Sequence, residues 1–131
     1  MIAIEASSAN AERLERNAQL NGNRIKIMRR AIGSTTGNQV WLSGAKHEAF
    51  RVGEANGAEV GESVEMMTLD SLLDQGLVSP QQRLVIKLDV EGMEIDAATG
   101  GRRVLENETV LIVEDHCAER NAALRRYLVD K

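Results

Sequence analysis

The sequence predicts an α/β fold in which a largely parallel sheet is flanked by helices. Three observations carry that expectation. Short apolar runs alternate with segments of helical periodicity along the chain. The clearest strand, Leu84-Val85-Ile86-Lys87-Leu88-Asp89-Val90, is apolar at both odd and even positions until near its end, as in a parallel strand covered on both faces. Charged groups then gather at the C-terminal end of that strand, where open α/β sheets hold their ligands.

Taken in order, Met1-Ile2-Ala3-Ile4 is too short for a helix and reads as a buried strand cut close to its start and ending at Glu5. Ser7, Ser8 and Asn10 offer side-chain oxygens to the free amides of a following helix, on which Leu14 and Ala18 share a face. Asn21-Gly22 should stop it. Arg24 to Ile32 alternates in part and predicts one further strand, closed by a turn over Gly33 to Gly37. The glycine-rich stretch from Gly37 to Glu65 predicts a hairpin or long loop, with strand-like pieces at Val40-Trp41-Leu42 and Ala49 to Val52. Gly53, Gly57 and Gly61 do not form a phosphate cradle, because no strong strand precedes them and no helix follows directly. Val64 to Met67 predicts a strand leading to Thr68 as an N-cap; Leu69, Leu72 and Leu73 then share a face of a short helix that Gly76 ends. After the Leu84 strand come a short helix broken at Gly100-Gly101, a strand from Thr109 to Val113, and a C-terminal helix with Ala122, Leu124, Tyr127 and Leu128.

At 131 residues the chain suits a single domain, residues 1–131, able to bury roughly two-thirds of the surface its unfolded form exposes. With only Trp41, Phe50 and Tyr127 as aromatics, the core must be aliphatic, and platforms for stacking bases are nearly absent. Sixteen basic residues against twenty acidic ones give no electrostatic footprint for nucleic acid or an anionic membrane. The pairs Arg29-Arg30, Arg102-Arg103 and Arg125-Arg126 read as solvated element ends. Cys117 is the only cysteine, so an intrachain disulfide and a thiolate zinc site are excluded and a reducing cytoplasm is the expected setting. No apolar run approaches the roughly 20 residues that span a bilayer.

Chemistry concentrates in Lys87-Leu88-Asp89-Val90-Glu91-Gly92-Met93-Glu94. Four charges in eight residues would be costly in a core, since each must be paired or neutralised. The residues alone leave two readings: a site mouth, or an ordinary ion pair at a strand end followed by a tight turn and a solvated helix.

The segment Lys87 to Glu94 resembles the K-x-D-x-E-G-x-E segment of FkbM-type methyltransferases, and further pieces follow that family's order. Ile2-Ala3-Ile4-Glu5 resembles its second strand with the terminal acid, and Asn10, Leu14, Asn17 and Asn21 resemble the helix after it. Ala31-Ile32-Gly33, Thr68-Leu69-Asp70-Ser71-Leu72-Leu73, the pair Gly100-Gly101 and Val113-Glu114 with His116 resemble later elements. Ala6 stands where the family normally has proline. The resemblance implies a Rossmann-like methyltransferase fold, here lacking the first strand with its glycine-rich turn and the last strands.

The implied activity is methyl transfer from S-adenosylmethionine to an oxygen of a small-molecule or sugar-like acceptor. Glu5, with Ala6 beside it, would hold the ribose hydroxyls; Ala31 and Ile32 would line the adenine pocket, although core packing explains them equally well. Asp89 would lie beside the reacting methyl and orient or deprotonate the acceptor, while Lys87 would stabilise nearby negative charge or neutralise Asp89. Glu91 and His116 are further catalytic candidates. Asp89, Glu91, Glu114 and His116 offer hard-metal ligands in principle, but no close ligand spacing accompanies them and no metal is assigned. Without the glycine turn, cofactor binding by the isolated chain is expected to be weak or absent. The alternative is a noncatalytic remnant serving assembly. In either case, unprotected strands bearing Ile2, Ile4, Leu84, Ile86, Leu111 and Val113 predict a homodimer or higher oligomer.

Overall fold

The computed structural model describes residues 1–43, 51–53, 61–90, 92–114 and 118–129. In chain order the elements are β1 (Ile2–Glu5), α1 (Ser8–Leu20), β2 (Lys26–Arg29), β3 (Ala31–Ile32), β4 (Gln39–Ser43), β5 (Arg51–Gly53) and β6 (Gly61–Met67). There follow α2 (Ser71–Asp74), β7 (Leu84–Leu88), α3 (Glu94–Thr99), α4 (Arg102–Leu105), β8 (Thr109–Val113) and α5 (Ala118–Val129). They form two compact units: Met1–Ala31 with Gly37–Met66, and Ile32–Thr36 with Met67–Lys131.

In the first unit β1 and β2 pair in parallel, with Ile2 opposite Lys26 and Glu5 opposite Arg29. The crossover between them is α1, whose ends are written into the sequence. Ser7 is buried, holds an extended N-cap conformation, and accepts the Asn10 N–H on its hydroxyl at 3.4 Å. At the other end Asn21 is the C-cap, and the chain leaves through positive φ at Gly22 (70°) and Asn23 (53°). Ala11 and Ala18 form the buried side of α1.

The single strand expected over residues 24–32 is two strands. The Arg30 N–H donates to the Glu5 carbonyl and closes the β1–β2 ladder, after which Ala31 and Ile32 join a different sheet with strand order β3-β6-β4-β5. In that sheet β4 runs antiparallel to both β5 and β6. The largely parallel single sheet is therefore corrected to two parallel pairs and a four-stranded sheet built around antiparallel pairings. The antiparallel pairings of β4 with β5 and with β6 lie in the glycine-rich middle of the chain, where no helix is found among the described residues. Ala31, Leu42 and Val64 make a small core here, with Ala6 and Val40 packed against it.

In the second unit β7 and β8 pair in parallel over five residues, Leu84 opposite Thr109 through Leu88 opposite Val113. Their side chains alternate across the pleat. Leu88 is buried and Leu84, Ile86, Leu111 and Val113 are half-buried, whereas Val85, Val110 and Ile112 on the opposite face are 73%, 58% and 50% exposed. The expectation that β7 is covered on both faces fails, because among the described residues only one face of this two-stranded pair is packed.

The turns of this unit are mutual packing devices. Thr68 accepts the Ser71 N–H on its hydroxyl, Leu69 and Leu72 are buried, and Gly76 takes φ 64° while the Leu77 N–H returns to the Leu72 carbonyl. Asp70 reaches across to α4, where its carboxylate accepts the Val104 N–H at 3.0 Å and the Arg103 N–H at 3.2 Å. Its own N–H donates to the Gly100 carbonyl. A Cβ on Gly100 would stand 2.2 Å from the Gly33 carbonyl oxygen, so only glycine permits this approach. Ala97, Ala98 and Val104 are fully buried beside it. Among the described residues no helix is long and apolar enough to cross a membrane.

Candidate active site

The parallel register of β7 and β8 brings the residues that follow both strands level with one another. The Glu114 N–H donates to the Leu88 carbonyl, extending the ladder one step past Val113. Lys87, exposed on the open face, donates from Nζ to Asp89 Oδ2 at 3.0 Å and to Glu114 Oε2 at 3.0 Å. Hydrogen bonds from Lys87 to Glu114 and then to Asp89, reinforced by the charge of Asp89, raise the ammonium above its ordinary pKa. The trio is one ammonium hydrogen-bonded to two carboxyl side chains.

The turn after this strand is shaped by Gly92, at φ 95°, whose N–H donates to Glu94 Oε1 at 2.9 Å. Glu94 is buried at the first turn of α3 and holds the turn, so it is not a solvated helix residue. Glu91 and His116 lie outside the described residues.

In the first unit, Glu5 ends β1 and is half-buried. Its Oε1 accepts the Ser7 N–H at 2.8 Å, which fixes the carboxylate over the start of α1. Ala6 packs against the small core that contains Ala31. Ala31 is 2% exposed and Ile32 8%, so core packing accounts for both. The next amide, of Ser8, donates to Glu62 Oε1 at 2.8 Å, and Glu62 Oε2 pairs with Arg29 Nη2 at 2.7 Å. Burial would push the Glu62 carboxyl up; the Ser8 hydrogen bonds and the Arg29 guanidinium outweigh it and hold it below the ordinary value.

Sequence reasoning ranked Glu114 behind Asp89 and Lys87, although the paired apolar runs that end in Val90-Glu91 and Val113-Glu114 were the signal that two strand ends lie side by side. Glu62 carried no sequence signal at all. Among the described residues no three His, Cys, Asp or Glu side chains converge as a metal-ion site.

No curated protein and no solved structure matches the chain. The profile of the methyltransferase FkbM domain, by contrast, matches residues 1–130, nearly the whole of the 131-residue chain. With Lys87, Asp89 and Glu114 gathered at two strand ends and Glu5 fixed at a third, that match makes the chain a member of the FkbM methyltransferase domain family.

Proposed function

We propose that the chain is an S-adenosylmethionine-dependent O-methyltransferase acting on a hydroxyl of a small-molecule or sugar-like acceptor. The observation that carries the reading is the Lys87 ammonium held between Asp89 and Glu114 at the C-terminal ends of paired parallel strands, the usual ligand end of such sheets. The Glu5 turn fits the ribose of that cofactor chemically. An ionised carboxylate has about four acceptor positions, and the Ser7 N–H occupies one oxygen and sets its direction, so a diol can donate to the group.

When bound, the cofactor supplies a methyl group activated by a sulfonium. Glu5 holds the ribose, with Ala6 beside it packed on the small core that contains Ala31. Asp89 orients the acceptor hydroxyl and takes its proton. Lys87 offsets the repulsion between Asp89 and Glu114. Glu91 and His116, which follow the two strands in sequence, complete the catalytic set. The test is transfer of labelled methyl to a panel of hydroxyl acceptors. Asp89→Ala should slow transfer about 10²- to 10⁴-fold while changing stability by no more than about 1 kcal/mol, as for exposed ion pairs generally. An equal rate from a folded variant would remove Asp89 from this role.

A second proposal concerns assembly, and Val85, Val110 and Ile112 favour it. Three exposed aliphatic side chains on one face of a two-stranded sheet are an incomplete packing surface, and a second copy of the chain completes it by symmetry. Light scattering at micromolar concentration should report a dimer that Ile112→Glu dissociates. A folded, monodisperse monomer for the unmodified chain would refute self-association.

A further inference from the structure

We infer that Glu62 is a positioning residue for Glu5: it pins the start of α1 and, by holding the Arg29 guanidinium, keeps that cation off the Glu5 carboxylate. This rests on the reading of Glu5 as the ribose ligand.

Glu5 and Arg29 are opposite one another in the β1–β2 register, so their side chains leave the ladder on the same face of neighbouring strands. An arginine beside a carboxylate at that spacing is its natural partner, and a bidentate pair would occupy the acceptor positions that a ribose diol needs. The structure shows a different outcome. Arg29 Nη2 turns to Glu62 Oε2 at 2.7 Å and to the Ser63 carbonyl at 3.1 Å, both on β6. The other oxygen of Glu62 takes the Ser8 N–H at 2.8 Å, next to the Ser7 N–H that Glu5 takes at 2.8 Å. Two consecutive amides at the start of α1 are therefore capped by two different carboxylates, and among the described residues only Glu62 of the two is paired with a cation. Glu62 thus removes the competitor from Glu5 and holds in place the turn on which Glu5 is aimed.

The decisive variant is Glu62→Gln, which keeps the size of the side chain and a carbonyl acceptor for Ser8 but gives up the charge that retains Arg29. The ligand-free readout is the amide proton of Ser7, which reports the Glu5 carboxylate. It should shift in Glu62→Gln and return to its original position in Arg29→Ala/Glu62→Gln, because the double variant has no cation left to move. The second readout is affinity for S-adenosylhomocysteine by calorimetry. Glu62→Gln should weaken it about tenfold, a factor equivalent to one charge-assisted hydrogen bond, and the double variant should recover to within about twofold. A double variant as weak as Glu62→Gln, or a Ser7 amide that stays put in Glu62→Gln, overturns the proposal, since a merely structural Glu62 predicts no rescue. If Glu5→Gln leaves the affinity unchanged, the ribose reading fails instead, while the Ser7 amide still decides whether Glu62 keeps Arg29 from Glu5.

Discussion

Replacing Gly100 by alanine tests the packing that joins three of the family's short motifs. Gly100 has φ −78° and ψ 0°, a conformation that alanine adopts freely, so backbone strain plays no part. On conformational grounds alone the change should stabilise the fold by about 0.4–1 kcal/mol through the unfolded chain. The added Cβ, however, meets the Gly33 carbonyl oxygen at 2.2 Å, and the Thr68 Cγ2 and Cβ at 3.0 and 3.1 Å. Both backbones are tethered beside the contact, the Gly33 N–H by the Met67 carbonyl and the Gly100 carbonyl by the Asp70 N–H. Relieving the contact requires a backbone shift of about 1 Å, at the upper end of the roughly 1–3 kcal/mol that overpacking costs. The net expectation is a loss of about 2 kcal/mol. At a urea slope of about 1–3 kcal/mol per molar, the unfolding midpoint should fall by roughly 1 M with the slope unchanged. An equal or higher midpoint for Gly100→Ala would show that Gly33, Thr68 and Gly100 are not in the described contact.

Asp70→Ala should cost about 1–2 kcal/mol, because the Arg103 and Val104 amides at the start of α4 lose their acceptor; Asp70→Asn, which retains one oxygen, should recover about half of it in the same urea titration. The Glu62 carboxyl titrates below its ordinary 4.5 in the folded chain, so the unfolded chain binds more protons between the two values. The contribution of Glu62 to stability is therefore fully present above about pH 4.5 and lost as pH falls through the folded value. Glu62→Gln should flatten the acid limb of the stability profile in that window, and an unchanged limb would contradict the Ser8 and Arg29 contacts. Lys87, raised by Glu114 and Asp89, has the opposite sign: its contribution is fully present below about pH 10.5 and lost as pH rises through the higher folded value. Lys87→Met should leave the neutral-pH midpoint nearly unchanged, as expected of an exposed pair, but lower the rate of methyl transfer.

Where the sequence carried its own punctuation, the fold was legible. Ser7 and Asn21 bound α1 because caps are local devices, and Thr109 to Val113 is β8 to the residue. The division of residues 24–32 was not legible, since the pairing partner of Ala31 and Ile32 lies more than thirty residues away in β6 and leaves no mark on their own periodicity. The apolar run at β7 misled in the same manner: a strand buried on both faces and a strand with Val85 left open have one sequence signature, and only the number of packed neighbours distinguishes them. At the site, Lys87 and Asp89 stood out because their charges are dense. Glu114 needed the β7–β8 register to bring it to Lys87, and Glu62 needed a sheet that no local pattern announces. The T-L-D and Gly-Gly motifs were legible as family marks, yet their physical task is structural: Asp70 caps α4, and the glycines admit a carbonyl and a leucine side chain.

The most direct test of the central claim is a nuclear magnetic resonance titration of the labelled chain with S-adenosylmethionine up to millimolar concentration. The account predicts a saturable amide shift at Ser7, next to the Glu5 carboxylate that would hold the ribose, lost in Glu5→Gln, and one at Asp89, which would meet the acceptor. Saturable shifts confined to other positions, or a Ser7 shift that persists in Glu5→Gln, would contradict it.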